Sequence, residues 1–334
     1  MQDPAAATLA SELKAIPLLD VGASFPLETL ARAEARAHAL LDLATRGVPA
    51  IALRSLDAVS RRWLVKWDNA HLDEIDQIAV RLARPGAYFL SVNYEWGCTC
   101  RVAPAPDAAS ARLVRVLDWR TPGLGRNILA ARVAGAVGPF VTLTWPGYTG
   151  VLQAMAPGRF SAALNQAPMR KPVGFLPLDW AANRRRVWRM PHPTPAHLLR
   201  HVLETARTFG DARRMLIESP ISTPAIFSLA GLSAADTAVI ERQETDSRVH
   251  DGASVAANHW QAPGWIGRPR GLQSAERARM MRNVTTDLDP AFRWLAAPVL
   301  NDRTRIVMVA DAKSGRLVAQ GFEAGRAATL PLSI

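Results

Sequence analysis

The sequence predicts a layered α+β protein, and three observations support that expectation. Through about the first third of the chain, apolar residues recur at helical spacing. From Cys98 onward the texture changes to short apolar runs divided by Gly and Pro. A helical pair within residues 195–218 is then followed by further strands and one more helix.

Taken in order, residues 1–25 read as an irregular or extended lead-in. Residues 27–46 are Ala-rich and place Leu27, Leu30, Ala33, Ala37, Leu40, Leu41 and Leu43 at helical spacing, which predicts an amphipathic helix ended by Gly47. Residues 56–67 and 71–82 predict two more helices. The second carries Asp73 and Glu74 in its first turn, where negative charge suits the helix dipole. Over residues 88–94 propensity alone favours a short strand or turn. The runs 98–103, 112–119, 127–135, 139–145, 149–155 and 160–165 read as antiparallel strands, with turns at Pro122-Gly123, Gly125, Gly138-Pro139, Pro146-Gly147 and Pro157-Gly158. Residues 195–209 and 211–218 are helical, entered after Thr194 and separated by Gly210. Strands return at 224–231, 236–243 and 253–258. Residues 274–284 form a helix that Ser274 can cap. Residues 303–310 and 317–323 close the chain as a hairpin around Lys313-Ser314-Gly315.

Composition bounds the functional class. A chain of 334 residues, 49% hydrophobic and 21% charged, can bury a large core and is ordinary for a globular protein. Residues 1–19 lack a cationic stretch followed by a long apolar core, and no apolar run reaches the ~18–20 residues of a membrane span, so a cytoplasmic placement is expected. Two cysteines spaced i, i+2 make a poor disulfide framework and suit a reduced compartment. A net charge of +11 points toward anionic partners. The cations are almost all Arg, and only Arg184-Arg185-Arg186 with Arg189 forms a dense cluster, which is a solvated face or a contact for an anionic membrane surface. No nucleic-acid-binding motif accompanies the charge, so no nucleic-acid partner is expected.

The stretch that organises the chain is Gly97-Cys98-Thr99-Cys100-Arg101-Val102, followed by Leu113-Val114-Arg115-Val116-Leu117-Asp118-Trp119. A turn-rich gap separates the two runs, which predicts a β-hairpin with a long loop. It brings a thiol, a guanidinium and a carboxylate onto adjacent strands. A thiol needs such neighbours to react, because the thiolate is the nucleophile and nearby positive charge stabilises it. Equally, both cysteines read as small buried hydrophobes beside an Arg115–Asp118 ion pair.

This stretch resembles the N-terminal-nucleophile amidases of the acid ceramidase, N-acylethanolamine amidase and choloylglycine hydrolase superfamily. Cys98-Thr99-Cys100 matches their Cys-Thr-Ser start, and Arg115-Val116-Leu117-Asp118-Trp119 their Arg-Asn-x-Asp-[Phe/Trp] element. The segment Trp145-Pro146-Gly147-Tyr148-Thr149-Gly150-Val151-Leu152, then Pro157-Gly158-Arg159-Phe160 and Leu164-Asn165-Gln166, is similar to their Gly-x-x-Gly-x-Leu, Pro-Gly-x-Phe and Asn-Glu blocks. Val255-Ala256-Ala257-Asn258-His259-Trp260 resembles their Thr-Asn-[Tyr/His] strand. The blocks keep family order across roughly residues 73–321.

The resemblance implies an αββα sandwich of two stacked antiparallel sheets between helical layers. Residues 1–97 would be a helical pro-segment or α-subunit, residues 98–334 the catalytic domain, and residues 88–94 a continuing helix. It implies that the chain cuts itself between Gly97 and Cys98 and that the freed α-amine serves as base for its own thiol, the two fragments staying together. An α-amine titrates near ~7.7–8, so an appreciable neutral fraction exists at neutral pH. Gly97 would allow a strained turn. Cys98 would attack an amide carbonyl to form a thioester that water hydrolyses. Arg115, seventeen positions on (115 − 98), would stabilise the thiolate, and Asp118 would accept hydrogen bonds from the new amino terminus. Strict alternation sets 115 and 118 on opposite faces, so a bulge or strand end is needed between them. Asn165 and Asn258 correspond to two asparagines near the oxyanion. Arg277 is the choice for a second arginine, with Arg268 and Arg270 competing. Gln166 stands where the family has Glu, which puts that ion pair in doubt.

Cys100 shares the face of Cys98, as a packing residue or a redox-sensitive neighbour. His197 and His201 lie i, i+4 on a helix, a spacing that can hold zinc, but no Glu sits between them in the metalloprotease pattern and a helix-surface pair is expected; His192 and His259 add no motif. No Gly-rich phosphate loop appears, and no cofactor is implied. Trp119, Trp145, Tyr148 and Phe160 are either core or the wall of an acyl pocket. The leading expectation is a self-processing cysteine amidase acting on an N-acyl amide (fatty-acyl, ceramide-like or related). An acyltransferase or peptidase on the same site, and a non-catalytic lipid-binding relative, are the alternatives.

Overall fold

The computed structural model describes residues 13–92 and 96–334. The expectations for residues 1–12 and 93–94 lie outside the described residues. The chain opens with strand β1 (Leu18–Gly22) and five helices: α1 (Leu27–Arg32), α2 (Glu34–Ala44), α3 (Ala50–Lys66), α4 (Leu72–Leu82) and α5 (Ala87–Val92). Six strands follow: β2 (Trp96–Pro104), β3 (Ala111–Trp119), β4 (Leu129–Gly135), β5 (Gly138–Thr144), β6 (Gln153–Ala156) and β7 (Phe160–Gln166). Next come α6 (Leu176–Trp188), α7 (Pro195–Thr205), α8 (Phe209–Glu218) and strands β8 (Ala225–Ala230), β9 (Thr237–Arg242), β10 (Ser247–Asp251) and β11 (Ser254–Ala256). The chain ends in α9 (Ser274–Met281), β12 (Thr304–Asp311), β13 (Arg316–Glu323), β14 (Arg326–Ala327) and β15 (Leu332–Ser333).

The strands build two sheets. The eight-stranded sheet runs β1-β4-β5-β6-β7-β8-β9-β10, and the seven-stranded sheet runs β11-β2-β3-β12-β13-β14 with β15 on β13. Alternation along β3 explains how they stack. Leu113 and Leu117 face the eight-stranded sheet and pack with Cys98, Cys100, Leu164 and Phe227. Val114 and Val116 face the other way, with Val307 and Val309, onto Ala278 and Met281 of α9. Helix α7 covers the far side of the eight-stranded sheet, burying Leu198, Leu199, Val202 and Leu203. The layers are thus helix, sheet, sheet, helix, as the sequence leads one to expect.

Several local expectations are corrected. Residues 27–46 are two helices, broken at Ala33, whose backbone leaves helical geometry (φ −137°, ψ 35°). The lead-in contains β1, which pairs in parallel with β4, so the first sheet is mixed and not purely antiparallel. Residues 87–92 are helical, as the resemblance implied and against local propensity. Helices α7 and α8 separate at residues 206–208, where Ala206 turns extended, and Gly210 lies inside α8. Helix α6 and strand β10 went unrecognised in the sequence: α6 has nearly every residue exposed, so it lacks an apolar stripe. Among the described residues, no helix is long and apolar enough to cross a membrane.

Candidate active site

The expected hairpin forms. β2 pairs antiparallel with β3, setting Gly97 opposite Asp118, Cys98 opposite Leu117 and Cys100 opposite Arg115. Both thiols are fully buried, on the face turned toward β7. Sγ of Cys98 lies 3.9 Å from the Leu164 carbonyl. Strand β11 continues the sheet on the other side of β2, with Ala256 opposite Cys100. Where that ladder stops, a side chain takes over: the Cys98 N–H donates to Asn258 Oδ1 at 2.7 Å.

Two arginines bracket the thiol from opposite faces of the strand. Arg115, fully buried, donates Nη1 to Asn165 Oδ1 and Nη2 to the Leu164 carbonyl (2.8 Å), and Nη1 lies 3.2 Å from Cys100 Sγ. Arg277, from α9, donates to the Cys98 carbonyl (2.8 Å), to Thr99 Oγ1 (2.5 Å) and to Asn258 Oδ1 (3.0 Å). It also lies 3.6 Å from Asp118 Oδ2. Of the three arginines weighed, Arg277 reaches the Cys98 peptide, whereas Arg268 and Arg270 line a cleft.

Asp118 and Arg115 do project to opposite faces. The register shift falls on the neighbouring strand, between Thr304 and Ile306 of β12, opposite Asp118 and Leu117. Asp118 is held by Thr304 Oγ1 and Asn301 Nδ2, each donating at 3.0 Å. Burial raises its pKa, against the pull of Arg277.

Burial dominates at the thiol as well. It pushes the Cys98 pKa up to about 12, and Arg115 offsets only part of that. In the intact chain Cys98 is a protonated thiol.

The asparagines are engaged. Asn165 Nδ2 donates to the Ala257 carbonyl (3.1 Å) while its Oδ1 accepts from Cys100 (3.1 Å) and Arg115. Asn258 Nδ2 donates to the Gln166 carbonyl at 2.7 Å. The arginine donors require oxygen on the side facing them, which fixes both amide orientations. Gln166 Oε1 accepts from the Trp96 N–H at 3.1 Å, so the residue standing in place of Glu holds the strand just ahead of Cys98.

Gly97 sits in extended strand, not in a strained turn; the reason for glycine is close approach. A Cβ there would lie 3.2 Å from Gly271 Cα and 3.5 Å from Asp118 Cβ. Against Gly97 and Asp118 opens a cleft of about 570 Å³, walled by Trp96, Trp119, Met169, Leu176 and Trp180. Of the four aromatics proposed for a pocket, Trp119 lines this cleft. Phe160 is core, and Trp145 stands edge-on to Trp119 at 5.5 Å beside a smaller hollow.

Sequence reasoning missed the support around these groups. Ser274 does not cap α9; its Oγ accepts from the Asn258 N–H and meets His259 Nδ1, both at 2.8 Å. Gly271 was missed too, and the adjacent Arg268 and Arg270 were its only signal. His197 is buried rather than on a helix surface, its ring centred 4.3 Å from that of His71 and tilted 42° to it. Among the described residues, no cluster of three or more His, Cys, Asp or Glu could hold a metal.

Known proteins similar to the chain include acid ceramidases. Over 194 residues it is 25% identical to that of Bos taurus, covering 53% of this chain and 46% of that one. Over 193 residues it is 26% identical to that of Homo sapiens, with the same coverage. Over 110 residues it is 30% identical to that of Heterocephalus glaber (32% and 26%). These similarities support the superfamily of N-terminal-nucleophile cysteine amidases. It spans about half the length of most of the curated relatives it matches. No family model matches it. Among solved structures it is similar to a Caenorhabditis elegans N-acylethanolamine-hydrolyzing acid amidase ortholog, with 21% identity, a TM-score of 0.48, and coverage of 64% of this chain and 92% of that one. A mutant conjugated bile acid hydrolase from Clostridium perfringens gives 11%, 0.41, 71% and 92%. Two features of the superfamily pattern differ here: the second cysteine, at 100, and Gln166.

Proposed function

We propose that the protein is a self-processing cysteine amidase that hydrolyses the C–N bond of an N-acyl amide. The supporting observation is the Gly97–Cys98 peptide itself. Its nitrogen is held by Asn258 Oδ1, Arg277 donates to the Cys98 carbonyl, and Gly97 lies against an aromatic-walled cleft. As it stands the site is closed, because β2 runs unbroken through the bond and buries the thiol. In the maturation step the thiol adds to the Gly97 carbonyl carbon. The C–N bond breaks, the Cys98 nitrogen takes a proton to become the amine, and water hydrolyses the resulting thioester.

Removing Trp96 and Gly97 from the strand would open the cleft onto Cys98. The freed α-amine, beside Asn258 and Asp118, then takes the thiol proton. The thiolate adds to the substrate carbonyl, the amine departs with that proton, and water releases the acid. Arg115 and Arg277 supply the positive field that the buried thiol lacks in bulk. Asn165 and Asn258 hold the nucleophile strand through the amide contacts described above.

The segment ahead of Cys98 stays attached after the cut. β1 is hydrogen-bonded to β4, Arg200 donates to both Glu74 carboxylate oxygens at 2.8 Å, and Trp63 Nε1 reaches the Val187 carbonyl at 3.1 Å. An anionic membrane surface is the proposed partner. Phe175, Leu178 and Trp180 are exposed beside the cleft, next to the Arg184–Arg186 cluster. Binding to phosphatidylglycerol vesicles but not to phosphatidylcholine vesicles is the expected result; equal binding would count against it. The two unpaired thiols fit a reducing, cytoplasmic setting.

The deciding experiment is intact mass and N-terminal sequencing of the purified protein beside Cys98→Ala. Two fragments are expected, one beginning at Cys98, and both absent in the variant. A single, amidase-inactive chain in both would overturn the proposal.

A further inference from the structure

The hydrogen bonds around Cys98 do not end at Asn258; they run on to an ionisable ring. Asn258 uses every polar atom it has. Its Oδ1 accepts from the Cys98 N–H (2.7 Å) and from Arg277 (3.0 Å), its Nδ2 donates to the Gln166 carbonyl (2.7 Å), and its own carbonyl accepts from the Arg270 N–H (3.1 Å). Its N–H donates to Ser274 Oγ at 2.8 Å. Ser274 is buried at the start of α9, in the turn ahead of Arg277, and its hydroxyl also meets Nδ1 of the half-buried His259 at 2.8 Å. The route from the ring to the Cys98 nitrogen thus runs through Ser274 and Asn258.

A serine hydroxyl carries one hydrogen and accepts through its lone pairs. With a neutral ring every donor finds an acceptor: Ser274 donates to Nδ1, His259 keeps its hydrogen on Nε2, and Ser274 Oγ is open to the Asn258 N–H. With a protonated ring Nδ1 becomes a donor. It then competes with the Asn258 N–H for Oγ, and the Ser274 hydrogen loses its acceptor. A positive charge also arrives beside the first turn of α9, where the helix dipole disfavours it. The charged groups facing the ring are Glu241 on β9, and Glu276, Arg277 and Arg282 on α9 and at its end. Burial is the largest influence and holds His259 below the ordinary imidazole value; the arginines act with it and the carboxylates against it. The ring is therefore neutral at neutral pH and is protonated by acid.

We propose that His259 is a positioning residue for Cys98: its neutral ring fixes Ser274, Ser274 fixes Asn258, and Asn258 holds the nitrogen that is a peptide nitrogen before the cut and the free amine after it. Protonating the ring loosens the hold on that nitrogen. The consequence for catalysis rests on the amidase reading. The coupling between ring and nitrogen does not, and it is measurable in an uncut chain.

The test is a titration of isotope-labelled, full-length Cys98→Ala protein by NMR from about pH 8 to pH 5, following the backbone amide at position 98 and the His259 ring. Both are expected to shift with one midpoint, below 6.5. With Ser274→Ala added, the ring still titrates and the amide no longer follows it. With His259→Asn added, the side-chain amide can take the Ser274 hydrogen but cannot titrate, and the step at the position-98 amide is lost. Asp118 faces the same strand from β3. Its titration bypasses Ser274, so it persists in both variants and is told apart. Wild-type chain from cell-free synthesis is expected to cut itself about three- to tenfold more slowly below that midpoint, the scale of one weakened hydrogen bond, and His259→Asn to show no such step. A position-98 amide that ignores the ring, a ring-linked step that persists in both variants, or the same pH profile of cutting in wild type and His259→Asn would overturn the proposal. A chain that never cuts itself yet shows the coupled titration would overturn the amidase reading alone.

Discussion

At the scale of single residues, the site is a contest between burial and charge at one sulfur. Arg115 and Arg277 both favour the thiolate of Cys98, yet desolvation is the larger effect and leaves the pKa near 12. The thiolate fraction at pH 8 is then far below that of an ordinary exposed cysteine. Iodoacetamide at pH 8 is therefore expected to leave Cys98 unmodified in the intact chain, and to label it once the preceding segment is cut. Rapid alkylation of the intact chain, read by peptide mass, would show that the strand opens without cleavage. Cys100 shows how far pattern could be read. Its spacing from Cys98 predicted a shared face, and the structure agrees, but its bond to Asn165 depends on β7, 65 residues away in sequence.

At the scale of elements, the site depends on close approaches of backbone to backbone. Gly97 meets Gly271 beside the Gly97–Cys98 peptide. A second approach locks β13 to the turn after β3: a Cβ on Gly321 would fall 2.0 Å from the Gly125 carbonyl oxygen. Gly321→Ala is expected to destabilise the protein by about 1–3 kcal/mol, the usual scale of overpacking, because the obstacle is backbone. Urea unfolding at constant slope would measure it, and a midpoint equal to wild type would show that the strands part freely. The β-strands were legible because alternation and Gly/Pro turns are local signals. Helix α6 was not, since it buries little, and β1 was not, since its partner β4 begins more than a hundred residues later.

At the scale of the whole molecule, the segment ahead of Cys98 is joined to the rest through an ionisable contact. His197 of α7 packs against the His71 ring and bonds Thr149 Oγ1 at 2.9 Å. Its pKa lies well below the usual imidazole value, through burial first and the nearby His71 and Arg200 second. His259, on the other side of the sandwich, is lowered too, also mainly by burial. A depressed folded-state pKa contributes stability that is present above the unfolded value of 6.5 and is lost as pH falls. Stability is therefore expected to decline from pH 7.5 to 5.5, and His197→Gln is expected to flatten part of that decline, leaving the share of His259. Urea midpoints at the two pH values for both proteins provide the check. An unchanged pH dependence in the variant would show that His197 does not report on the junction.

The sequence by itself determined the layered class and the hairpin that carries Cys98, Arg115 and Asp118, while Asn165, Asn258 and Arg277 became candidates through the family resemblance. Each is written in a local pattern, by alternation, turn residues or a short block in order. Tertiary structure alone decided which of three arginines reaches Cys98, that Gln166 and Ser274 hold the strands around it, and that the cleft is lined by arginine. Those facts depend on which segments of distant sequence meet, and pairing between strands is set by packing across two sheets rather than by any one stretch of the chain.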